Sequence, residues 1–137
     1  RLVARGGGVK FAISKRTGFV EQFRVRFTNL IDKGFGIRPN LWRALTDNDW
    51  GNKYVYRGAS AFMPDSLILK DVRIDGNSAV AVYSLSNGSE YTLVYTPDRS
   101  GKLLVALQFR GNPEAYAVEV PRIGVRTRIA KTPFIRC

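Results

Sequence analysis

Apolar and polar residues alternate along most of this chain with the period of two that a half-buried β-strand requires. In residues 9–15, Val9, Phe11 and Ile13 share one face. Arg16-Thr17-Gly18 then supplies a short turn in which Gly18 can take positive φ. Residues 19–27 resume the alternation through Phe19, Glu21, Phe23, Val25 and Phe27, opposed by Arg24 and Arg26. The two runs predict a β-hairpin. Residues 29–36, with Asn29, Asp32-Lys33-Gly34 and Gly36, read as a loop.

Further strands follow a stretch from 36 to 64. Residues 66–75 carry Leu67, Leu69, Val72 and Ile74, and the phase break between Leu69 and Val72 predicts a bulge. Residues 78–85 follow an Asp75-Gly76-Asn77 turn, and Ser86-Asn87-Gly88 leads into 90–96. Pro97 to Gly101 is a turn by composition, after which 102–110 alternate at Leu103, Val105, Leu107 and Phe109. Beyond Gly111-Asn112-Pro113, residues 118–130 predict a last strand around Pro121 and Gly124. Residues 53–64 hold one short helix or an irregular loop, since Gly58 and Pro64 limit any helix. Short strands separated by turn signals predict an all-β antiparallel sandwich, with a second layer covering the apolar face.

Composition narrows the function more than the fold. A chain of 137 residues with 45% hydrophobic content is the size of one domain or domain fragment, 1–137, with enough burial for a core. No apolar run approaches the ~18 residues of a membrane span. The first residues have no apolar core of signal-peptide length, which leaves cytoplasm and periplasm equally open. There is no histidine, and the single cysteine is Cys137. A Cys/His metal site and a histidine-based nucleophilic triad are therefore excluded within the chain.

The formal charge of +11 raises nucleic acid or an acidic surface as a partner. The cations are scattered, however, and many alternate within predicted strands, as at Arg24/Arg26 and Arg126/Arg128. That distribution favours a solvated sheet face or an interface over a nucleic-acid groove.

Residues 36–52 break the pattern. They hold both tryptophans, Arg38 and Arg43, Asp47 and Asp49, and Asn40, Asn48 and Asn52. Asp47 and Asp49 are the close carboxylate pair that acid/base or glycosidase chemistry would need. The competing reading is an Asx-type turn at Thr46-Asp47-Asn48, with Arg43 paired to one aspartate, and it is the stronger one. A calcium site needs more oxygen ligands than this stretch offers. Trp42 reads as a core anchor, a role whose loss typically costs ~3–5 kcal/mol. Trp50, in the turn, either stacks on a sugar or base or packs on a neighbouring domain. With Tyr54 and Tyr56 it could form the platform of an autonomous carbohydrate-binding module.

Residues 37–52, Ile-Arg-Pro-Asn-Leu-Trp-Arg-Ala-Leu-Thr-Asp-Asn-Asp-Trp-Gly-Asn, closely resemble a block of the β-galactosidases of glycoside hydrolase family 2. The pattern there is R-P-N-F-W-R-A-P-T-D-N-D-x-G-N, in the C-terminal small-chain β-domain. Lys15-Arg16-Thr17-Gly18 resembles that family's K-x-T-G hairpin, and Val120-Pro121-Arg122-Ile123-Gly124 its P-R-I/V-G strand. The three blocks occur in the family's order across nearly the whole chain.

The resemblance implies the first part of a galactose mutarotase-like supersandwich. It implies a non-catalytic role, both catalytic glutamates of such enzymes lying in a separate barrel domain. It also implies that Asp47, Asn48, Asp49, Trp50, Gly51 and Asn52 form a substrate-rim loop; Trp42 and Arg43, read from the residues as structural anchors, would brace it. No cofactor or metal is implied in this chain; the family's Mg and Na are bound elsewhere. The implied partners are the catalytic barrel and the remaining half of the sandwich, with a galactoside at the rim only. Leu45 departs from the family's proline, which loosens the fixed φ there. The later W-x-G-x-G-P-x-E-x-Y block is missing, so the chain reads as a fragment with uncovered faces that favour self-association.

Overall fold

The computed structural model describes residues 1–44, 47, 59–115 and 120–131. Their fold is all-β and antiparallel. Leu2–Gly6 (β1), Val9–Ile13 (β2), Val20–Val25 (β3) and Thr28–Asn29 (β4) form one sheet in that order. Arg38–Pro39 (β5) pairs away from it. Ile68–Asp75 (β6), Ser78–Ser84 (β7), Glu90–Pro97 (β8) and Leu103–Arg110 (β9) form a second four-stranded meander. Val125–Arg126 (β10) returns to pair with β5. Two 3₁₀ turns, Ala59–Phe62 and Pro64–Ser66, lead into β6.

The two meanders pack face to face as a sandwich. Phe11 and Ile13 from β2 and Val20 from β3 meet Ala79, Ala81 and Tyr83 of β7 and Tyr91, Leu93 and Tyr95 of β8. The Phe11 and Tyr95 rings lie 6.5 Å apart in a tilted arrangement, a favourable geometry for aromatic pairs. Strand β8 alternates strictly between buried Tyr91, Leu93 and Tyr95 and half-buried Thr92, Val94 and Thr96, as a central strand covered on one face should.

The meander of β6 to β9 follows the predicted strands closely. The register shift between Leu69 and Asp71 is the bulge that the phase break predicts. Elsewhere the structure departs from the pattern. β1 is an additional strand, closed onto β2 through Gly7 and Gly8, both at positive φ. Its short apolar run ends in glycines, which hides it from periodicity. In β3 the register shifts opposite Ala12/Ile13, so Val20 becomes the fully buried residue while Phe19 and Phe23 are half-buried against the core. Phe27, expected on the inner face, is fully exposed, because the strand ends at Val25 and Arg26 turns the chain at φ 54°. The predicted strand over 118–130 reduces, among its described residues, to β10 and a single bridge between Ile129 and Ile31. Pro121 lacks the N–H that a continuous ladder would need.

Candidate functional site

The approach to the predicted rim loop is built by two sequence blocks far apart in the chain. Ile37 exchanges backbone hydrogen bonds with Val20, its N–H donating to the Val20 carbonyl at 2.9 Å and its carbonyl accepting at 3.2 Å. This ties residues 36 and 37 to the first sheet. One step later β5 pairs with β10, placing Pro39 opposite Val125 and Arg38 opposite Arg126. The Asn40 N–H donates to the Gly124 carbonyl at 2.8 Å. The Asn40 side-chain amide, in the orientation that satisfies both its ends, donates to the Trp42 carbonyl (3.1 Å) and accepts from Arg122 (3.2 Å). Arg43 Nε donates to the Pro121 carbonyl at 3.0 Å, and its Nη1 to the Ala44 carbonyl at 3.2 Å. Residues 121–124 therefore bracket residues 40–43 from one side. Pro121 and Gly124 act through their carbonyls, which any residue type could supply, and this is why side-chain reasoning does not find them.

Two tyrosines tie these blocks to the second sheet. Tyr83 and Tyr91 are direct cross-strand partners with rings 6.5 Å apart. The Tyr83 hydroxyl donates to the Thr17 carbonyl at 3.0 Å, inside the Lys15-Arg16-Thr17-Gly18 turn. The Tyr91 hydroxyl donates to the Gly124 carbonyl at 2.7 Å. Burial pushes the Tyr91 phenol up to about 12. It also raises Tyr83, with the neighbouring Tyr91 adding to the effect.

The structure places the predicted site residues unevenly. Leu41 takes the deeply buried position, at 1% exposure, while Trp42 and Arg43 are half-buried. The fully buried apolar residue of this stretch is therefore Leu41, and Trp42 lies at the boundary. Asp47 is exposed. Asn48, Asp49, Trp50, Gly51 and Asn52, together with Tyr54 and Tyr56, lie outside the described residues, as does any pairing of Arg43 with Asp49. Among the described residues no group of three or more His, Cys, Asp or Glu side chains is arranged to hold a metal ion.

A cationic cluster lies beside this junction. The Arg38 guanidinium lies over the Phe35 ring, its Cζ 4.0 Å from the centroid, and 5.1 Å from that of Phe19. Arg126 and Arg128 approach the same Phe35 ring at 5.0 and 4.7 Å. Desolvation, followed by the positive charges of Arg126 and Arg128, lowers the pKa of Arg38. Asp32 pairs with Arg128 at 3.6 Å. The alternation of Arg126 and Arg128 is visible in the sequence; their convergence with Arg38 on one phenylalanine depends on the β5–β10 pairing, which is not.

Comparison with known proteins gives the family. Residues 5–133 match the family model of the β-galactosidase small chain. The chain is 28% identical over 130 residues to a β-galactosidase of Priestia megaterium, the alignment covering 90% of this chain and 12% of that protein. The chain thus spans about 12% of the length of this relative.

Proposed function

The chain belongs to the β-galactosidase small-chain family, and on that premise we propose that it is a non-catalytic β-sandwich segment of a β-galactosidase-like glycoside hydrolase. In this reading the whole protein hydrolyses terminal β-D-galactosides by a retaining, two-carboxylate mechanism, with both carboxylates supplied by a barrel domain outside this chain. Residues 1–137 form one sandwich unit, the first part of a supersandwich completed by the rest of the polypeptide. The unit packs on the barrel and carries residues 47–52 to the active-site rim, with Trp42 and Arg43 bracing their base. It needs no cofactor of its own, and galactoside contacts it only at the rim.

The observation that carries this reading is the junction of 40–43 with 121–124. Three backbone carbonyls (Pro121, Gly124 and Trp42) are engaged by Arg43, by Asn40 and Tyr91, and by Asn40 respectively. These bonds hold residues 40–43 against 121–124, which supports a role for them as the base of the proposed rim stretch. Placement to within about half an ångström is what a substrate rim requires of its support.

The test uses the whole polypeptide and the 137-residue chain side by side on a chromogenic galactoside. The whole protein is expected to turn over substrate and the isolated chain is not. Clear turnover by the pure chain overturns the reading. In the whole protein, Arg43→Ala is expected to raise KM for the galactoside with a smaller change in kcat, because it loosens the rim without touching the reacting groups.

A further inference from the structure

The junction of β5 and β10 has an electrostatic imbalance that the scaffold role leaves unused. Arg38 and Arg126 are directly opposite each other across the strand pair, an arrangement in which like charges are ordinarily destabilising. Among the described residues, no carboxylate pairs with either of them, and Asp32 engages only Arg128. The π-face of Phe35 offsets part of this repulsion.

Arg38 also lines a cleft of about 660 Å³, a size suited to a small ligand. Arg16, Arg24 and Lys33 line the same cleft, with Thr17, Gln22 and Asn29 as neutral hydrogen-bonding groups. The one carboxylate on its wall, Glu21, is ion-paired to Arg1 at 2.8 Å.

Arg38 is held as a rigid fork. Its Nη2 donates to the Gly34 carbonyl at 3.2 Å, its Nε donates to the Gly36 carbonyl at 3.5 Å, and its Cζ lies over the Phe35 ring at 4.0 Å. A guanidinium carries five N–H donors, so most remain for a ligand. A preorganised fork surrounded by further cations and neutral donors matches a tetrahedral oxyanion, which it can grip in bidentate fashion.

We propose that this cleft binds a phosphate or sulfate group, with Arg38 as its fixed bidentate ligand and Arg16, Arg24 and Lys33 completing the positive wall. The site is independent of the galactoside-hydrolase reading, and its failure would leave that reading intact. Duplex nucleic acid is a poorer occupant, because these cations line a single cleft instead of extending along a stripe.

Calorimetric titration of the whole polypeptide tests the proposal, with inorganic phosphate, inorganic sulfate and glucose 6-phosphate as probes at an ionic strength fixed by potassium chloride. Saturable one-site binding of at least one probe is expected; tighter binding of glucose 6-phosphate than of the inorganic anions identifies an ester as the ligand. Arg38→Lys keeps the charge but removes the fork, and should weaken binding about tenfold or more. Arg24→Gln, an exposed change that spares the fold, should weaken it severalfold, and Arg110→Gln on the second sheet should not. Arg24→Gln decides the matter if Arg38→Lys does not fold. Non-saturating heats, or equal losses from Arg24→Gln and Arg110→Gln, overturn the proposal. So does a duplex oligonucleotide that binds more tightly than every probe with a steep salt dependence.

Discussion

The Tyr91 hydroxyl donates to the Gly124 carbonyl at 2.7 Å, and that same carbonyl accepts the Asn40 N–H at 2.8 Å. One backbone oxygen therefore joins the second sheet, the β10 return and the base of the proposed rim stretch. Tyr91→Phe removes one of its two donors and should cost about 0.5–1.5 kcal/mol in chemical denaturation. It should also speed amide exchange at Asn40 more than at β6. Tyr95 is the contrast: its hydroxyl is buried and has no partner among the described residues. Tyr95→Phe discards an unsatisfied polar atom without opening a cavity, so it should leave stability unchanged or raise it by up to about 1 kcal/mol. A larger loss from Tyr95→Phe than from Tyr91→Phe would contradict the hydrogen-bond assignment.

Gly18 closes the β2–β3 hairpin at φ 68°. A Cβ there would lie 2.4 Å from the Tyr83 hydroxyl and 2.8 Å from Leu69 Cδ1. Gly18→Ala combines left-handed strain with overpacking against β6 and β7, and should cost about 2–4 kcal/mol. Gly34, at φ 80°, faces open space, and a Cβ added to it would meet no atom within 4 Å. Gly34→Ala should therefore cost only the strain, about 1–2 kcal/mol. Thermal melts of the two variants measure the difference. It is the close approach of Tyr83, beyond the turn conformation, that fixes glycine at position 18.

The sequence made the second meander legible because β6 to β9 obey three local rules at once: alternation, turn chemistry and a single phase break at the bulge. It made the first sheet only half legible. The register shift in β3 exchanges the inner face between Val20 and Phe23, and period-two reasoning carries Phe27 inward past the point where Arg26 turns the chain. The block 120–124 was visible as a motif, but its contacts with residues 40–43 were hidden for a different reason. Pro121 and Gly124 act through backbone carbonyls, and Arg38 meets Arg126 only through a pairing of two-residue strands. Neither kind of contact leaves a periodic trace in the sequence.

Strands β6 and β9 are the two edges of the second sheet, and they expose Ile68, Ile74, Leu104 and Leu107. Unpaired edge groups beside apolar side chains are a template for association. The isolated chain is expected to self-associate at high concentration, and Leu104→Lys with Leu107→Lys should shift it toward monomer with little loss of stability. Light scattering at several concentrations measures this. A monodisperse, unmodified monomer at high concentration would remove the edge argument.

The buried tyrosines also set how the chain responds to alkali. Burial holds Tyr91 at about 12 and raises Tyr83 and Tyr95, the latter with contributions from Tyr83 and Tyr91. In the unfolded chain all three ionise near pH ~10. Below that pH both states carry the phenolic protons, and stability is independent of these groups. Between about pH 10 and 12 the unfolded state releases protons that the folded state retains, so stability falls as pH rises. The slope is up to about 1.4 kcal/mol per pH unit for each tyrosine that ionises only on unfolding. Tyrosinate absorbance and circular dichroism should therefore change together in one alkaline transition for these residues. Tyr91→Phe removes one titrating group, so the part of the transition that lies above pH ~10 should become shallower. An absorbance change from the buried tyrosines that precedes the loss of β-structure would show that their hydroxyls ionise within the fold, against the burial that the sandwich imposes.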